Sequence, residues 1–222
     1  MTELAGTARQ LPRGRHGLPR EQVIASQRER ILKAMAEAMV ENGYVGTSVA
    51  VILKRAGVSR ETFYEQFRSK EDCFEAAFER AVQGLLSRIG KASVAADNEA
   101  VPELDRMDRI LGAYLEGLAA EPAYARLFLV EVYAVGSKAV ARRAVLQESF
   151  VTMMATVLDA RTEQQRFACQ TLAAGVSAMV TARIAADDPD GLRGLKQPLL
   201  DLVRRSGDLY GTAIPRAGGV PA

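Results

Sequence analysis

The chain contains 222 residues, of which 48% are apolar and 25% are charged, and its formal net charge is +2. A chain of this length and apolar content can bury a sizeable core in one large or two small domains, which excludes an intrinsically disordered protein. Its two cysteines, Cys73 and Cys169, stand far apart in the sequence, which argues against a disulfide framework or a CxxC metal site and favours two buried or half-buried thiols.

The amino-terminal third of the chain holds the excess positive charge. Residues 1–70 contain twelve Lys and Arg against seven Asp and Glu, whereas the remainder contains seventeen against twenty. This asymmetry indicates an anionic partner at the amino end, with nucleic acid as the first interpretation and a membrane surface as the second. The sequence has no run of eighteen apolar residues and no apolar stretch of the secretory type, so we expect a cytoplasmic protein without a membrane partner.

The first predicted element is a flexible arm over residues 1–22. Its segment Arg9–Arg20 contains four arginines, two prolines, two glycines and no acidic residue. Arg13 and Arg15 in this arm are candidates to enter a narrow minor groove of DNA, where the negative potential is enhanced. The alternative interpretation is a solvated tail.

A long first helix follows the arm. Ser26 and Glu29 have the spacing of a capping box, and apolar residues then recur at helical intervals. Asn42 and Gly43 are typical of a helix end. The sequence therefore predicts a helix from Ser26 to about Asn42.

Three further helices are predicted before about residue 90. Thr47 or Ser48 caps the second, and Gly57 ends it. Ser59 caps a short third helix, and Ser69 begins the fourth. The second and third helices are thus separated by a tight turn that contains a glycine.

The short third helix has an apolar side and a polar side. Phe63 and Phe67 lie on one face and can pack against the preceding helices, while Glu61, Tyr64 and Glu65 lie on the other. Two short helices joined by a tight turn, the second of which offers its first turns to solvent, form the helix-turn-helix arrangement that fits a major groove.

The segment AGVSRETFYEQFRSKEDCF, from Ala56 to Phe74, resembles the DNA-binding domain of the TetR family of bacterial transcriptional regulators. The resemblance extends over about fifty residues, from about Arg28 to Arg80. It implies an all-α homodimer with an amino-terminal three-helix helix-turn-helix domain and a larger helical-bundle domain for ligand binding and dimerisation. The implied boundaries are 23–72 for the first domain and 101–210 for the second.

The resemblance also implies which residues contact DNA, through phosphate oxygens or base edges. Hydroxyls, amides and cations donate to phosphate, and Arg or Gln can read a purine edge through two hydrogen bonds. The residues at the family's contact positions in the two helices and at the start of the fourth are Thr47, Ser48, Ser59, Arg60, Thr62, Tyr64, Gln66 and Lys70.

Glu61 departs from the family pattern, which often has glycine or another small residue at this position. A carboxylate facing a polyanion is unfavourable unless it is paired or accepts a hydrogen bond from a cytosine amino group. One interpretation is therefore base reading, and the other is a carboxylate that stabilises the helix dipole in the first turn. Glu65 lies one turn later, and its carboxylate would also face the polyanion.

Residues 73–100 are predicted to form a connecting helix and a linker, because the periodicity is lost from Gly90 to Pro102. Residues 211–222, rich in proline and glycine, form a predicted frayed tail. Five helices are predicted between these segments, at about Glu103–Ala120, Pro122–Val135, Ser137–Leu158, Thr162–Ala186 and Gly191–Ser206.

The larger domain is predicted to contain a lipophilic ligand cavity between its helices. Most of its apolar and aromatic residues are ordinary core by type, but such bundles commonly hold small-molecule sites, and Met adapts to a ligand's shape. The candidate lining residues are Tyr114, Leu118, Tyr124, Phe128, Val132, Phe150, Met153, Met154, Val157, Phe167, Leu172 and Val176. Glu116, Arg126 and Glu131 are charged candidates for orienting a ligand.

The last two helices are candidates for a dimer interface. Small residues recur on one helix and leucines on the next, a pattern that allows close helix approach across a twofold axis. The interface candidates are Thr171, Ala174, Ala178, Ala182, Leu192, Leu195, Leu199 and Leu202. The alternative is packing inside one subunit.

The residues do not predict an enzyme or a cofactor. The single histidine, His16, lies in the arm, so the sequence has no Ser-His-Asp arrangement, no HExxH motif and no metal-ligand cluster. The family resemblance implies a regulator that binds a double-stranded DNA operator, usually a repressor released by a small apolar effector. Ligand-independent DNA binding remains an alternative, and a helical enzyme or sequestering protein is a further one.

Overall fold

The computed structural model describes residues 19–98 and 101–211, and the regular secondary structure in these residues is entirely helical, as predicted. Two compact units divide the chain between Arg80 and Ala81. The arm residues Arg13 and Arg15 and the tail 212–222 lie outside the described residues, so the predictions made for them remain predictions.

The amino-terminal unit contains α1 (Arg20–Gly46), α2 (Val49–Ala56), α3 (Arg60–Gln66) and the beginning of α4 (Lys70–Asn98). The predicted capping box at Ser26 is wrong, because α1 already begins at Arg20, directly after Pro19. Proline fixes a backbone angle compatible with the helix start, and the following residues are mostly good helix formers.

Phenylalanines and methionines fill the core of the amino-terminal unit. Phe63 of α3 is 0% exposed and Phe67, which directly follows α3, is 2% exposed, so the predicted apolar side packs inward. The other large buried side chains in this unit are Ile31, Met35, Met39, Ile52, Phe74 and Phe78. A seven-residue helix is marginal in water, so α3 exists because its aromatic side is buried in this core.

Helix α4 continues well past the predicted break at Gly90. A glycine in a helix interior costs only about 1 kcal/mol relative to alanine, and good helix formers follow it. Ile89 and Ala96 are buried, which stabilises this part of α4 through packing. The segment Gly90–Asn98 is therefore helix rather than irregular linker.

The carboxy-terminal unit is a bundle of helices that follow the predicted order. They are α5 (Glu103–Ala120), α6 (Pro122–Arg126), a π-helical segment (Leu127–Glu131), α7 (Val132–Val135), α8 (Ser137–Val157), α9 (Glu163–Ala185), α10 (Pro189–Gly194) and α11 (Lys196–Arg205). The single helix predicted from Gly191 is two helices, since α10 begins at Pro189 and ends before Leu195.

Helix α9 begins at a complete capping box, in which the Thr162 hydroxyl accepts from the Gln165 N–H and the Gln165 side chain accepts from the Thr162 N–H. Among the described residues it is the one helix long and apolar enough to cross a bilayer, with 33% of its most apolar window buried. A core helix of a bundle meets the same criterion, and α9 packs extensively against α8.

Candidate nucleic-acid interface and ligand cavity

The turn between α2 and α3 is built from three local signals. The Ser48 hydroxyl accepts from the Val51 N–H and caps α2, and the Ser59 hydroxyl accepts from the Thr62 N–H at 3.0 Å and caps α3. Between them Gly57 has φ +64° and ψ +41°, a left-handed conformation that favours glycine. These residues therefore form a helix-turn-helix with both caps where the sequence predicts them.

The ion pairs of Arg55 hold α2 against α1. Its guanidinium contacts the carboxylates of Glu37 and Glu41, both on α1. Arg55 is therefore occupied within the protein, and its side chain belongs to the scaffold that carries α3.

The solvent-facing side of α3 carries an aromatic ring between charges. Tyr64 is 48% exposed, and the Arg60 guanidinium lies 5.7 Å from the centre of its ring. Glu61 and Glu65 are also exposed, and neither has a basic partner within 4 Å among the described residues. Arg60 and Tyr64 thus present one cation and one hydroxyl to solvent near the amino end of α3.

Lys70, the first residue of α4, is held in place by Tyr44. The Lys70 ammonium donates to the Tyr44 carbonyl oxygen at 3.0 Å and lies 4.0 Å from the centre of its ring. An ammonium has three N–H donors, so two remain for an anion such as phosphate. Sequence reasoning missed Tyr44, because nothing in its local pattern connects it to a residue 26 positions away.

Two carboxylates secure the first turn of α4. The Tyr44 hydroxyl donates to Glu71 at 2.9 Å, and the Arg68 N–H donates to Asp72 at 2.8 Å. Hydrogen bonds from its own backbone N–H and from Tyr44 lower the pKa of Glu71, and the Arg68 N–H lowers that of Asp72. These bonds fix the position of Lys70 relative to α3.

Two of the predicted DNA contacts, Thr47 and Gln66, are partly or fully enclosed by the protein. Thr47 is 0% exposed, and its hydroxyl donates to the Gly43 carbonyl oxygen at 2.7 Å. Its N–H also bonds to carbonyls at the end of α1, so Thr47 completes that helix and both of its donors are occupied within the protein. Gln66 is half-buried, and its Oε1 is shielded without a hydrogen-bond partner among the described residues.

Thr62 is half-buried, and its hydroxyl lies 2.9 Å from the Ser59 hydroxyl. This pair supports the cap of α3, while Ser48 and Ser59 remain exposed. The exposed candidates among the described residues are therefore Ser48, Ser59, Arg60 and Tyr64, while Thr62, Gln66 and Lys70 are half-buried.

A largely apolar cavity lies within the carboxy-terminal unit, between α5, α8, α9 and α11. The cavity volume is about 80 Å³, whereas small-molecule sites commonly occupy about 300–1,000 Å³, so a ligand would have to displace the side chains that line it. Eight predicted lining residues border it, namely Tyr114, Phe128, Phe150, Met153, Met154, Val157, Leu172 and Val176. The π-helical segment contributes Phe128 and its neighbour Leu129 to the same wall.

Four predicted lining residues lie elsewhere. Phe167 is 69% exposed and borders a shallow groove between α8 and α9, because it projects from the outer side of α9. Leu118 and Tyr124 are buried and border a separate small cavity near α4, and Val132 is fully buried outside the cavity wall. The sequence shows that these residues are apolar. Helical periodicity does not show which neighbouring helix each of these side chains faces.

The cavity also has a polar corner that the sequence analysis missed. Arg143 of α8 is 9% exposed and lines the cavity, where it donates to Gln147 at 3.4 Å and to Ser177 at 3.1 Å. Burial raises the pKa of the nearby Tyr114 to about 12. The charged candidates chosen from the sequence are not at this site, since Glu116 pairs with Arg193 and Arg126 pairs with Glu131.

The predicted dimer residues divide into outward and inward groups. Thr171, Ala174, Ala178 and Ala182 are exposed on one side of α9, and Leu202 is 49% exposed on α11. Leu195 is half-buried. Leu192 and Leu199 are 0% and 5% exposed and contribute to the core of the subunit.

Comparisons with known proteins match the amino-terminal part of the chain in sequence and most of the chain in fold. The model of the bacterial regulatory proteins of the tetR family matches residues 31–77. The HTH-type transcriptional activator FasR of Mycolicibacterium smegmatis is 35% identical over 100 residues, which cover 41% of this chain and 44% of that protein. An uncharacterized HTH-type transcriptional regulator of Mycobacterium tuberculosis is 34% identical over 85 residues, or 37% of this chain and 42% of that protein.

The chain thus spans somewhat less than half the length of the curated relatives it matches. Solved structures match over a longer range. The TetR family regulator PfmR from Thermus thermophilus has a TM-score of 0.63 at 20% identity, over 82% of this chain and 98% of that one. FadR from Bacillus subtilis, in complex with stearoyl-CoA, has a TM-score of 0.65 at 20% identity, over 79% of this chain and 96% of that one.

These structures share the fold of the chain, and the family match covers the helix-turn-helix whose caps and core are described above. The family consists of non-enzymatic regulators, which agrees with the expectation from the residues. Residues 31–77 therefore match the tetR family of bacterial regulatory proteins, and the chain has the same fold as solved regulators of that family.

Proposed function

We propose that the protein is a sequence-specific DNA-binding transcriptional regulator that acts as a cytoplasmic homodimer on a double-stranded operator. The observation that carries this proposal is the helix-turn-helix with its exposed Arg60 and Tyr64 on α3, an anchored Lys70 at the start of α4, and the exposed hydroxyls of Ser48 and Ser59 at the two helix caps. These groups donate to phosphate and to base edges, and the amino end of α3 favours an anion.

Regulation in this proposal is negative and ligand-controlled. A small, largely apolar effector enters the cavity of the carboxy-terminal unit and lowers operator affinity by the difference in its binding free energy for the two conformations. The likeness to FadR, whose structure holds stearoyl-CoA, supports an acyl chain as the apolar part. Activation of transcription is a second candidate, favoured by the similarity to FasR, which is named as an activator.

The test of DNA binding is fluorescence anisotropy with the protein's own upstream intergenic DNA and a shuffled duplex, over a salt series. We expect tighter binding to the upstream DNA and a steep negative slope of log affinity against log salt. Lys70→Ala should make the slope shallower by roughly 0.9, the loss of about one phosphate contact. Lys91→Ala, an exposed lysine of the carboxy-terminal unit, is the matched control and should leave the slope unchanged.

A slope that stays the same in Lys70→Ala would contradict the placement of phosphate at this surface. Absence of binding to any duplex at low salt would contradict the proposal that the protein is a DNA-binding regulator. Addition of an acyl compound that occupies the cavity should then weaken operator binding. An occupied cavity with unchanged operator affinity would contradict the effector part alone.

A further inference from the structure

The buried Arg143 is an unusual feature of an otherwise apolar cavity. Its Nη1 donates to the Gln147 Oε1 at 3.4 Å, and its Nη2 donates to the Ser177 hydroxyl at 3.1 Å. Its Nε is buried and has no hydrogen-bond partner among the described residues. In the same part of the chain no carboxylate lies within 4 Å of the guanidinium, and both of its polar partners are neutral.

This arrangement leaves a buried positive charge without an anion among the residues that the structure describes. Arginine stays protonated in proteins, and a buried charge is costly unless it is paired and hydrogen-bonded. Tyr114 cannot serve as the anion, because burial raises its pKa to about 12 and keeps its hydroxyl neutral at physiological pH. The Tyr133 ring, 5.3 Å from the Arg143 Cζ, compensates the charge only in part.

We propose that the cavity binds an amphipathic acid whose free carboxylate pairs with Arg143. The carboxylate accepts from Nε, the donor without a partner among the described residues, and the planar guanidinium suits two parallel hydrogen bonds to it. The apolar chain lies among Met107, Met153 and Met154, whose flexible side chains adapt to its shape. This inference rests on the proposed function, since it names the chemical class of the effector.

The proposal distinguishes a free acid from its derivatives. A methyl ester has the same chain but no charge, and a coenzyme A thioester carries its charge on phosphates remote from its neutral carbonyl group, so neither places a carboxylate beside the guanidinium. The ligand class inferred here therefore differs from the stearoyl-CoA found in FadR. The hydrogen bonds to the carboxylate, rather than the length of the apolar chain, determine the selectivity for a free acid over its ester.

The test is isothermal titration calorimetry with the full chain and saturated acids from octanoate to hexadecanoate, each below its micelle concentration, and with their methyl esters and coenzyme A thioesters. We expect the best acid to bind the wild type roughly tenfold to a hundredfold more tightly than its ester. Arg143→Met should lose this preference while it still binds the ester. Arg142→Met, which changes the exposed neighbouring arginine, should retain the preference.

Circular dichroism shows whether each variant is folded. If Arg143→Met does not fold, Arg143→Gln and Arg143→Lys replace it, and the lysine variant should keep part of the preference because it keeps the charge without the planar fork. Equal binding of acid and ester, tighter binding of the thioester, absence of binding by every compound, or a preference that survives removal of the guanidinium would each overturn the proposal.

Operator binding in the same solutions separates this inference from the proposed function. If esters release the DNA as well as acids do, the proposed regulation stands and the role of Arg143 is wrong. If an acid binds through Arg143 but operator affinity stays unchanged, the ligand class stands and the proposed regulation by ligand is wrong.

Discussion

At the scale of single residues, the exposed side of α3 combines groups that attract DNA with groups that repel it. Arg60 stacks loosely beside Tyr64, while Glu61 and Glu65 face solvent without a basic partner within 4 Å among the described residues. Glu61 lies in the first turn, where a carboxylate stabilises the helix dipole by about 0.3–1 kcal/mol. The structure thus gives Glu61 a local reason to be present, independent of any base.

We predict that Glu61→Gln tightens binding to random duplex, because it removes repulsion from phosphate, and lowers the free energy of unfolding by about 0.3–1 kcal/mol. Anisotropy with random and upstream duplexes, together with urea denaturation, measures both effects. Glu103→Gln, which removes a carboxylate from the first turn of α5, is the control for the stability effect. Weaker binding to upstream DNA alone would indicate instead that Glu61 reads a cytosine.

At the scale of elements, the tight turn and the start of α4 determine where α3 lies. Gly57 reverses the chain in a left-handed conformation, and its N–H bonds to the Leu53 carbonyl at 3.0 Å. The hydrogen bonds of Glu71 and Asp72 secure the other end of α3. Each junction includes a hydrogen bond from a backbone N–H, so both can be tested without changes to the aromatic core.

We predict that Gly57→Ala destabilises the helix-turn-helix by about 1–2 kcal/mol, because alanine is strained at positive φ. Hydrogen exchange followed by mass spectrometry should be faster in α2 and α3. Gly90→Ala is the matched control, since a methyl group there meets no atom within 4 Å and alanine favours the helix. We expect it to stabilise α4 by about 0.5–1 kcal/mol, and equal exchange in both variants would contradict the role of the turn.

We predict that acid destabilises the junction between α3 and α4. The pKa values of Glu71 and Asp72 are lower in the folded state than in the unfolded chain, so their contribution is present above the unfolded values and is lost as the pH falls through the folded ones. In thermal unfolding between pH 7 and pH 3, Asp72→Asn should show a weaker pH dependence than the wild type. Identical dependence would mean that this hydrogen bond contributes little.

At the scale of the whole molecule, the outer sides of α8 and α9 expose apolar groups that a partner could cover. Phe167 is 69% exposed, Val145 is 67% exposed, and small residues such as Ala174 and Ala178 follow Phe167 on α9. Small side chains let two helices approach closely, which suits the proposed homodimer. A dimer would in turn place two helix-turn-helix units on a pseudo-palindromic operator.

We predict that Ala178→Glu weakens the dimer more than a hundredfold, because the interface would bury an unpaired carboxylate at a cost of several kcal/mol. Analytical ultracentrifugation should detect monomers, and affinity for the upstream DNA should fall with dimer formation. Ala95→Glu, at an exposed alanine of α4, is the control and should remain a dimer. A dimeric Ala178→Glu protein would place the interface elsewhere.

The amino-acid sequence by itself determined the helical fold class, the caps at Ser48 and Ser59, the glycine turn and the resemblance to the TetR family, because these depend on residues close together in the chain. Only the tertiary structure decided that Thr47 and Leu199 are buried, that Phe167 faces outward and that Lys70 rests on Tyr44. It likewise placed Arg143 beside Ser177, 34 residues away, in the cavity. Periodicity shows which side of a helix is apolar, but packing between distant segments decides what that side meets.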